Sequence, residues 1–452
     1  MRKLFGTDGI RGVANQPPMT PELALKLGRA VTWVAGRGRR LAPRIVVGKD
    51  TRLSGYMLET ALASGICSMG GRVLLCGPIP TPAVAHLTVS MRADAGLVIS
   101  ASHNPYADNG IKIFGPDGFK LPDETEAQIE ALLEEGALPV RKTGRSVGSA
   151  ERLEDARGRY VAFAKATFPR DLTLDGVKIV VDAAHGAAYR VAPSVFQELG
   201  AKVTALGVRP NGSNINRACG ALHPESACAE VVKRGAAMGI ALDGDADRVI
   251  VIDEKGEVVD GDAVMAMCAS RMIRDGELRR ATVVATVMSN LGLERALAAH
   301  GVKLLRTPVG DRYVVEAMRQ GGFNLGGEQS GHLIFIDHAS TGDGVIGALQ
   351  VLALMMRTGQ PLSALARAAM ERVPQVLENV TLPSRRPLDE MEQLRKSQQR
   401  VEKALGGDGR VLVRWSGTEP KLRIMIEGPE EPKIRAYAQE LAEAAREDVP
   451  AG

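Results

Sequence analysis

Four short segments of this chain hold residue types, at spacings, that could do chemistry. In SASHNPYADNGIK, Ser102 closes an apolar run and is followed at once by His103, Asn104 and Pro105, while Lys112 lies on the returning run. A serine hydroxyl exposed at a strand end can accept a phosphoryl group and pass it on, and a hairpin-like return brings the Lys112 cation toward Ser102 and His103. Ser, Asn, Asp and Pro are also ordinary turn residues, so a plain loop explains SxHNP alone equally well. In ALDGDADRVIVID, carboxylates stand at Asp243, Asp245 and Asp247. Side chains at i, i+2 and i+4 fall on one side of an extended segment. Carboxylates that close repel one another unless a cation sits between them, and oxygen-only ligands favour Mg²⁺ or a similar hard ion. A solvated acidic turn is the alternative. An EF-hand is not, because its sixth position is Arg248 rather than Gly and VIVI makes the second half a strand.

The third segment, LGGEQSGHLIFI, flanks Glu328 and Ser330 with glycines, so backbone can approach a ligand while both side chains project toward sugar hydroxyls. A simple glycine turn explains it as well. The fourth, RVLVRWSGTEPKLRIMIEG, places SGTEP between two alternating strands with Arg414 and Arg423 beside it. Ser416 and Thr418 offer hydroxyls, Gly417 allows exposed N–H groups, and arginine grips phosphate bidentately. A polar hairpin turn with surface arginines is the competing reading. Nucleotide signatures are missing: the nearest approach to GxxxxGK[ST] is GALPVRKT, with Arg141 at the second glycine, and no strand leads into GxGxxG.

The loops need elements to hold them. A chain of 452 residues exceeds one core. Strand-like runs (RIVVGKD, RVLLCG, AGLVISAS) alternate with helical stretches, and the order repeats from near Arg152 (KIVVDAAHG, KVTALG, GIALDGDADRVIVIDE). It repeats again from about Asp260 (TVVATVMSN, KLLRTP, LIFI). That alternation predicts α/β layers with mixed, largely parallel sheets. After Arg367 the order becomes α+β. Four domains are expected around a central cleft: residues 1–151, 152–257, 258–368 and a smaller 369–452.

Composition narrows the function. The chain is 45% hydrophobic and 24% charged, with a formal net charge of +4 spread along it. That small surplus suits anionic metabolites better than a nucleic-acid groove, and 4% aromatic residues give little for base stacking. No apolar run approaches the ~18 residues of a spanning helix. MRKLFGTDGIRG has no apolar segment behind its charges, and the five cysteines form no CxxC pair. The expectation is a cytoplasmic protein with no nucleic-acid or membrane partner.

In their order and spacing, TDGIRG, SASHNP, DGDADR, GEQSGH and RxSGTEP resemble the α-D-phosphohexomutases along essentially the whole chain. The forms FGTDGIRG, SASHNP and GEQSGH are similar to those of the bacterial phosphoglucosamine mutases. The resemblance implies a phosphoserine enzyme that interconverts glucosamine 6-phosphate and glucosamine 1-phosphate through a 1,6-bisphosphate, feeding UDP-N-acetylglucosamine and cell-wall synthesis. A phosphomannomutase/phosphoglucomutase of the same mechanism is the alternative. Ser102 would carry the phosphate, and Asp243, Asp245 and Asp247 would hold one Mg²⁺ with a serine-phosphate oxygen. Arg11, His103, Lys112, Arg248 and His332 would surround the transferring group, with Lys112 and His332 as candidate acid/base. Glu328 and Ser330 would bind sugar hydroxyls. Arg414, Ser416, Gly417, Thr418 and Arg423 would hold the phosphate that is not reacting. Glucosamine or glucose 1,6-bisphosphate would serve as activator, and a homodimer is the expected assembly. Gln329 favours the amino sugar by the same resemblance. Trp415 and Lys421 depart from the family pattern without removing a phosphate ligand.

Overall fold

Runs of β-branched residues buried on both faces pair in parallel, and polar turn residues sit where the chain reverses. A computed structural model describes residues 4–6, 8–38, 41–134, 136–138, 141–416 and 421–450. The first sheet contains β1 (Ile10–Val13), β2 (Arg44–Lys49), β3 (Arg72–Pro78), β4 (Ala95–Ile99), β5 (Asp108–Phe114) and β6 (Ser149–Arg152), in the order β1-β5-β4-β2-β3-β6. β2 pairs in parallel with β3 and β4, whereas β4 and β5 are antiparallel. Its helices are α1 (Pro21–Ala35), α2 (Ser54–Ser68), α3 (Thr81–Ser90) and α4 (Asp123–Ala131). α1 starts where the Thr20 hydroxyl accepts from the Leu23 N–H, with Pro21 in the first turn, a normal helix entry.

α5 (Ala156–Ala166) leads to the second sheet, β7 (Lys178–Asp182), β8 (Lys202–Leu206), β9 (Met238–Leu242), β10 (Val249–Ile252) and β11 (Val258–Val259), with α6 (Val191–Glu198) and α7 (Glu225–Arg234). β7 pairs in parallel with β8 and β9, and β9 turns back antiparallel into β10. The third unit repeats the plan. α8 (Gly261–Arg274) precedes β12 (Thr282–Thr286), β13 (Lys303–Thr307), β14 (Leu325–Gly327) and β15 (Leu333–Phe335), with α9 (Leu291–Ala299), α10 (Asp311–Gly321), α11 (Gly344–Thr358) and α12 (Leu362–Ala369). β12 pairs in parallel with β13 and β14, and β14 returns antiparallel as β15. The sequence analysis took LIFI as the last strand of the alternating series. It is instead the antiparallel return, and the last parallel strand is β14, whose three residues include two glycines and carry no periodic signal.

A smaller antiparallel sheet ends the chain: β16 (Gln375–Thr381), β17 (Arg410–Trp415) and β18 (Lys421–Glu427), covered by α13 (Glu392–Leu405) and α14 (Glu431–Asp448). The expected α/β architecture with a smaller α+β unit is present. Three of the motif segments occupy the same structural position, the turn of an antiparallel hairpin: β4–β5, β9–β10 and β14–β15; the fourth falls between the antiparallel strands β17 and β18. One apolar core runs through the first three units, from Val46 and Val98 through Tyr160 and Ile240 to Leu325 and Leu352. The fourth keeps a separate core built on Val380, Val401, Ile424 and Leu441. Polar bonds join it to the third. Asn290 Nδ2 donates to Val373 O and Asn290 Oδ1 accepts from Val373 N, both at 3.0 Å, and the Leu291 N–H donates to Glu427 Oε1 at 3.0 Å.

Candidate active site

Ser102 follows β4 in a left-handed backbone conformation (φ 52°), which a non-glycine residue adopts only when its surroundings hold it there. The holding group is Arg52, whose side chain is fully buried. Its Nε donates to Asp50 Oδ2 at 2.8 Å, one terminal nitrogen reaches Ser102 O (2.9 Å) and Asn104 O (2.8 Å), and the other reaches Asp108 O (3.1 Å) and Pro105 O. The second unit contributes Asn216, which donates to Ser102 O at 2.8 Å. With its backbone fixed, the Ser102 hydroxyl donates to Asp243 Oδ2 at 2.6 Å and lies 3.3 Å from His103 Nδ1. Burial, then the Arg248 and Arg11 cations, lower the His103 pKa to about 4, so its imidazole is neutral.

The acidic loop meets Ser102 across a glycine. A Cβ at Gly244 would lie 2.5 Å from Ser102 O, so no other residue allows this approach. Thr81, at the start of α3, pins the loop: its N–H donates to Asp245 O (3.0 Å) and its hydroxyl to Asp245 Oδ2 (2.6 Å). Ligand atoms of Asp243, Asp245 and Asp247 all lie within 4.8 Å of one another, and all three residues are buried. Lys112 Nζ sits 2.9 Å from Asp245 Oδ2 and 3.0 Å from Asp247 Oδ2. Lys112 therefore points into the acidic loop, where its expected direction was toward Ser102 and His103. Against burial, Asp245, Asp247 and Asp8 raise the Lys112 pKa well above its ordinary value. Burial, then the Asp247 and Asp245 charges, push Asp243 well above the usual carboxylate range. Asp245 Oδ1 and Asp247 Oδ1 are buried with no hydrogen-bond partner. Two orphaned carboxylate oxygens beside a third acid that resists ionising are what an oxygen-ligated cation would satisfy. The donor set fits Mg²⁺.

A cleft of about 420 Å³ opens on this loop, with Arg11, His103, Asp247, Arg248, Glu328 and His332 in its wall. Glu328 is oriented by Gly310 N (3.2 Å to Oε1) and by the exposed Ser330, whose hydroxyl donates to Oε2 at 3.1 Å. His332 Nε2 accepts from Gly342 N at 3.2 Å, and its Nδ1 lies 3.8 Å from Asp247 Oδ1. A Cβ at Gly342 would come within 2.4 Å of that ring. Gln329 turns away, donating to Asp260 Oδ2 at 3.3 Å.

Among the described residues, β17 and β18 contribute none to that cleft wall. Arg414 and Arg423 are direct cross-strand partners. Among the described residues neither forms an ion pair, and both Nε atoms are buried without a partner. Burial and the Arg423 charge lower the Arg414 pKa. Two like charges side by side are unfavourable unless an anion joins them. Ser416 N donates to Lys421 O (2.8 Å), Arg385 donates to Ser416 O (2.6 Å), and the Trp415 indole N–H donates to Arg386 O (2.9 Å). Gly417 and Thr418 lie outside the described residues.

Sequence reasoning missed several groups. Asp8 lies inside TDGIRG and pairs with Lys112 (3.1 Å), Lys120 and Arg11. Asp311 pairs with Lys120 at 2.5 Å. Arg52, Thr81 and Asn216 belong to no quoted motif. The polar run KDTR, which begins at the last residue of β2, was the one local signal for Arg52.

Four family models of the phosphoglucomutase/phosphomannomutase type match in order: alpha/beta/alpha domain I (residues 2–139), domain II (159–256), domain III (260–373) and the C-terminal domain (377–444). The chain belongs to the phosphoglucomutase/phosphomannomutase family. Within the family, a relative from Sorangium cellulosum named phosphoglucosamine mutase is 71% identical over 449 residues, 99% of this chain and 94% of that one. Other family relatives carry the same name at 56–62% identity over nearly the whole chain. The crystal structure of a Burkholderia thailandensis phosphoglucomutase/phosphomannomutase family protein is 25% identical, covers 99% of this chain and 98% of its own, and has a TM-score of 0.81. An Aspergillus fumigatus N-acetylphosphoglucosamine mutase in complex with GlcNAc-6P and magnesium shares the fold at 16% identity, covering 99% and 96%, with a TM-score of 0.69.

Proposed function

We propose that the chain is a phosphoglucosamine mutase, an isomerase that interconverts glucosamine 6-phosphate and glucosamine 1-phosphate, and that Ser102 carries the transferred phosphoryl group. The observation that carries this reading is the Ser102 hydroxyl, fixed on Asp243 at 2.6 Å beside the two orphaned oxygens of Asp245 and Asp247. Asp243, Asp245, Asp247 and an oxygen of phosphorylated Ser102 would hold Mg²⁺, which when bound offsets negative charge on the phosphoryl oxygens. The rest of the work falls to side chains. Arg11 and Arg248 line the cleft as cations that stabilise charge spread over the transferring group. Lys112 is clamped by three carboxylates and stays protonated, so it neutralises charge rather than accepting a proton. That leaves His332, in the cleft wall, to exchange the proton of the attacking hydroxyl. Glu328 and Ser330 accept and donate to sugar hydroxyls.

The bisphosphate formed when Ser102 gives up its phosphate must turn end over end so that its other phosphate faces Ser102. The Arg414–Arg423 pair suits the end that is not reacting, with Ser416, Gly417 and Thr418 as its neighbours. Glucosamine or glucose 1,6-bisphosphate would activate enzyme that has lost its phosphate. On this reading the chain divides into residues 1–151, 152–257, 258–368 and 369–452, the first three lining the cleft described above and the fourth bringing the arginine pair to it. All five cysteines are free thiols, in keeping with a cytoplasmic enzyme, and no helix among the described residues is long and apolar enough to cross a membrane. A homodimer is part of the proposal and is read by light scattering. The decisive experiment is a coupled mutase assay on glucosamine, glucose and mannose phosphates, with peptide mapping of Ser102. Full activity from protein that lacks Ser102 phosphate, with no bisphosphate added, would end this reading.

A further inference from the structure

We propose that Asp311 selects an amino sugar over its hydroxyl counterpart by receiving the substrate ammonium group on its carboxylate. The inference rests on the mutase reading above and assigns its specificity. Gln329, the residue that the family resemblance ties to amino sugars, bonds to Asp260 and faces away from the cleft. The discriminating group has to be among those that face the ligand. Of the cleft's four acids, Asp247 belongs to the cation loop, and Asp8 is held by Lys112, Lys120 and Arg11. Glu328 is hydrogen-bonded by Gly310 N and the Ser330 hydroxyl and already faces the Arg248 cation.

Asp311 differs from all of these. It opens α10, keeps 12% of its side chain exposed and lines the cleft. Its Oδ1 accepts from Arg312 N at 2.8 Å, while Oδ2 already holds an ammonium, that of Lys120, at 2.5 Å and lies 3.5 Å from His332 Nε2. Lys120 bridges to Asp8 as well, so it can release Asp311 and still keep an ion pair. Exchange of one ammonium for another leaves the Asp311 carboxylate with a cationic partner. A sugar hydroxyl in the same place cannot balance it, because it brings no charge to replace that of Lys120. A site built around a charged partner rejects the analogue that lacks it more strongly than a merely shaped pocket does.

Two variants move the selectivity in opposite directions. The measurement is kcat/KM for glucosamine 1-phosphate divided by kcat/KM for glucose 1-phosphate, with Mg²⁺ and the matching 1,6-bisphosphate present, so damage common to both substrates cancels. Asp311→Asn keeps the acceptor for Arg312 N but loses the charge, and it lowers the ratio by about tenfold or more. Lys120→Met removes the competing ammonium and raises the ratio. A ratio unmoved by either variant, with both sugars turned over, overturns the role of Asp311 and leaves the mutase standing. A wild-type protein that turns over neither sugar phosphate takes the mutase reading down with it, and one that prefers glucose phosphate overturns the amino-sugar assignment.

Discussion

Arg52 touches no part of the cleft, yet removing its guanidinium should disable the enzyme. Arg52→Met keeps the buried aliphatic stem and deletes five side-chain hydrogen bonds, one to Asp50 and four to carbonyls of the Ser102 loop. Breaking a fully buried ion pair by removing one partner costs about 3–5 kcal/mol. For units of this size that lowers the melting temperature by roughly 5–15 °C. The catalytic loss has a different origin. Ser102 holds its left-handed conformation because Arg52 and Asn216 grip its carbonyl, and a shift of ~1 Å in a reacting group costs about a hundredfold in rate. We expect kcat to fall by that factor while KM for the sugar phosphate changes little. Arg52→Lys restores a cation for Asp50 but cannot reach all four carbonyls, so it recovers stability more than rate. Burial already raises the Asp50 pKa. In Arg52→Met the carboxyl takes up a proton more readily still, and the stability deficit shrinks as pH falls. Melting followed by circular dichroism and the coupled assay read both effects. An Arg52→Met enzyme that melts within about 2 °C of wild type and keeps its kcat would refute the argument.

Asp243→Asn relieves repulsion in the acidic loop while removing a ligand. It should lose about a hundredfold or more in rate, yet melt no lower than wild type without Mg²⁺. Added Mg²⁺ should raise the melting temperature of wild type only, and an equal rise in the variant would count against the metal site. Arg423→Ala should raise KM roughly 10- to 100-fold, the equivalent of a charge-assisted contact of about 1.5–3 kcal/mol. It should also release more bisphosphate per turnover, and unchanged values of both would return the hairpin to an ordinary turn. His103, with its pKa lowered to about 4, stays neutral in the folded chain while the unfolded chain protonates below about 6.5. Its contribution to stability is complete above that value and is lost as pH falls toward 4. His103→Asn should therefore show a shallower drop in melting temperature between neutral and acid pH, and parallel curves would exclude the effect.

The four chemical loops were legible because each packs its functional groups into a few consecutive residues after an apolar run. The three α/β units were legible for the same reason, since buried strands and amphipathic helices have different periods. β14 escaped because Leu-Gly-Gly has no period at all, and its strand character comes from the partners on either side. Lys112 was expected beside Ser102 and His103 and instead points into the acidic loop, since its direction depends on where the second unit places Asp245 and Asp247. Arg52, Asn216, Lys120 and Asp311 are single residues far from the motifs they serve. Nothing local to Asp311 in GDRY reveals that Lys120 lies opposite it. Gln329 shows the converse: it sits inside a motif and turns away from the cleft, onto Asp260.

The separate core of the C-terminal unit has a thermodynamic consequence. A domain that has its own apolar core, and is linked to the rest by polar contacts such as Asn290 with Val373, Leu291 with Glu427, Ser289 with Arg410, Arg295 with Gly407 and Asp408, and Asp260 with Arg372, forms a cooperative unit of its own. Heating should produce two calorimetric transitions, and amide exchange in β16–β18 should sort with one of them and β2–β4 with the other. A bisphosphate that touches Ser102 at one end and the arginine pair at the other binds across both units, so it stabilises them jointly. Ligand should therefore merge the two transitions as well as raise them. If the proposed site is right, the substrate would then be part of what holds the molecule together, and each release of product would loosen the seam between the two units.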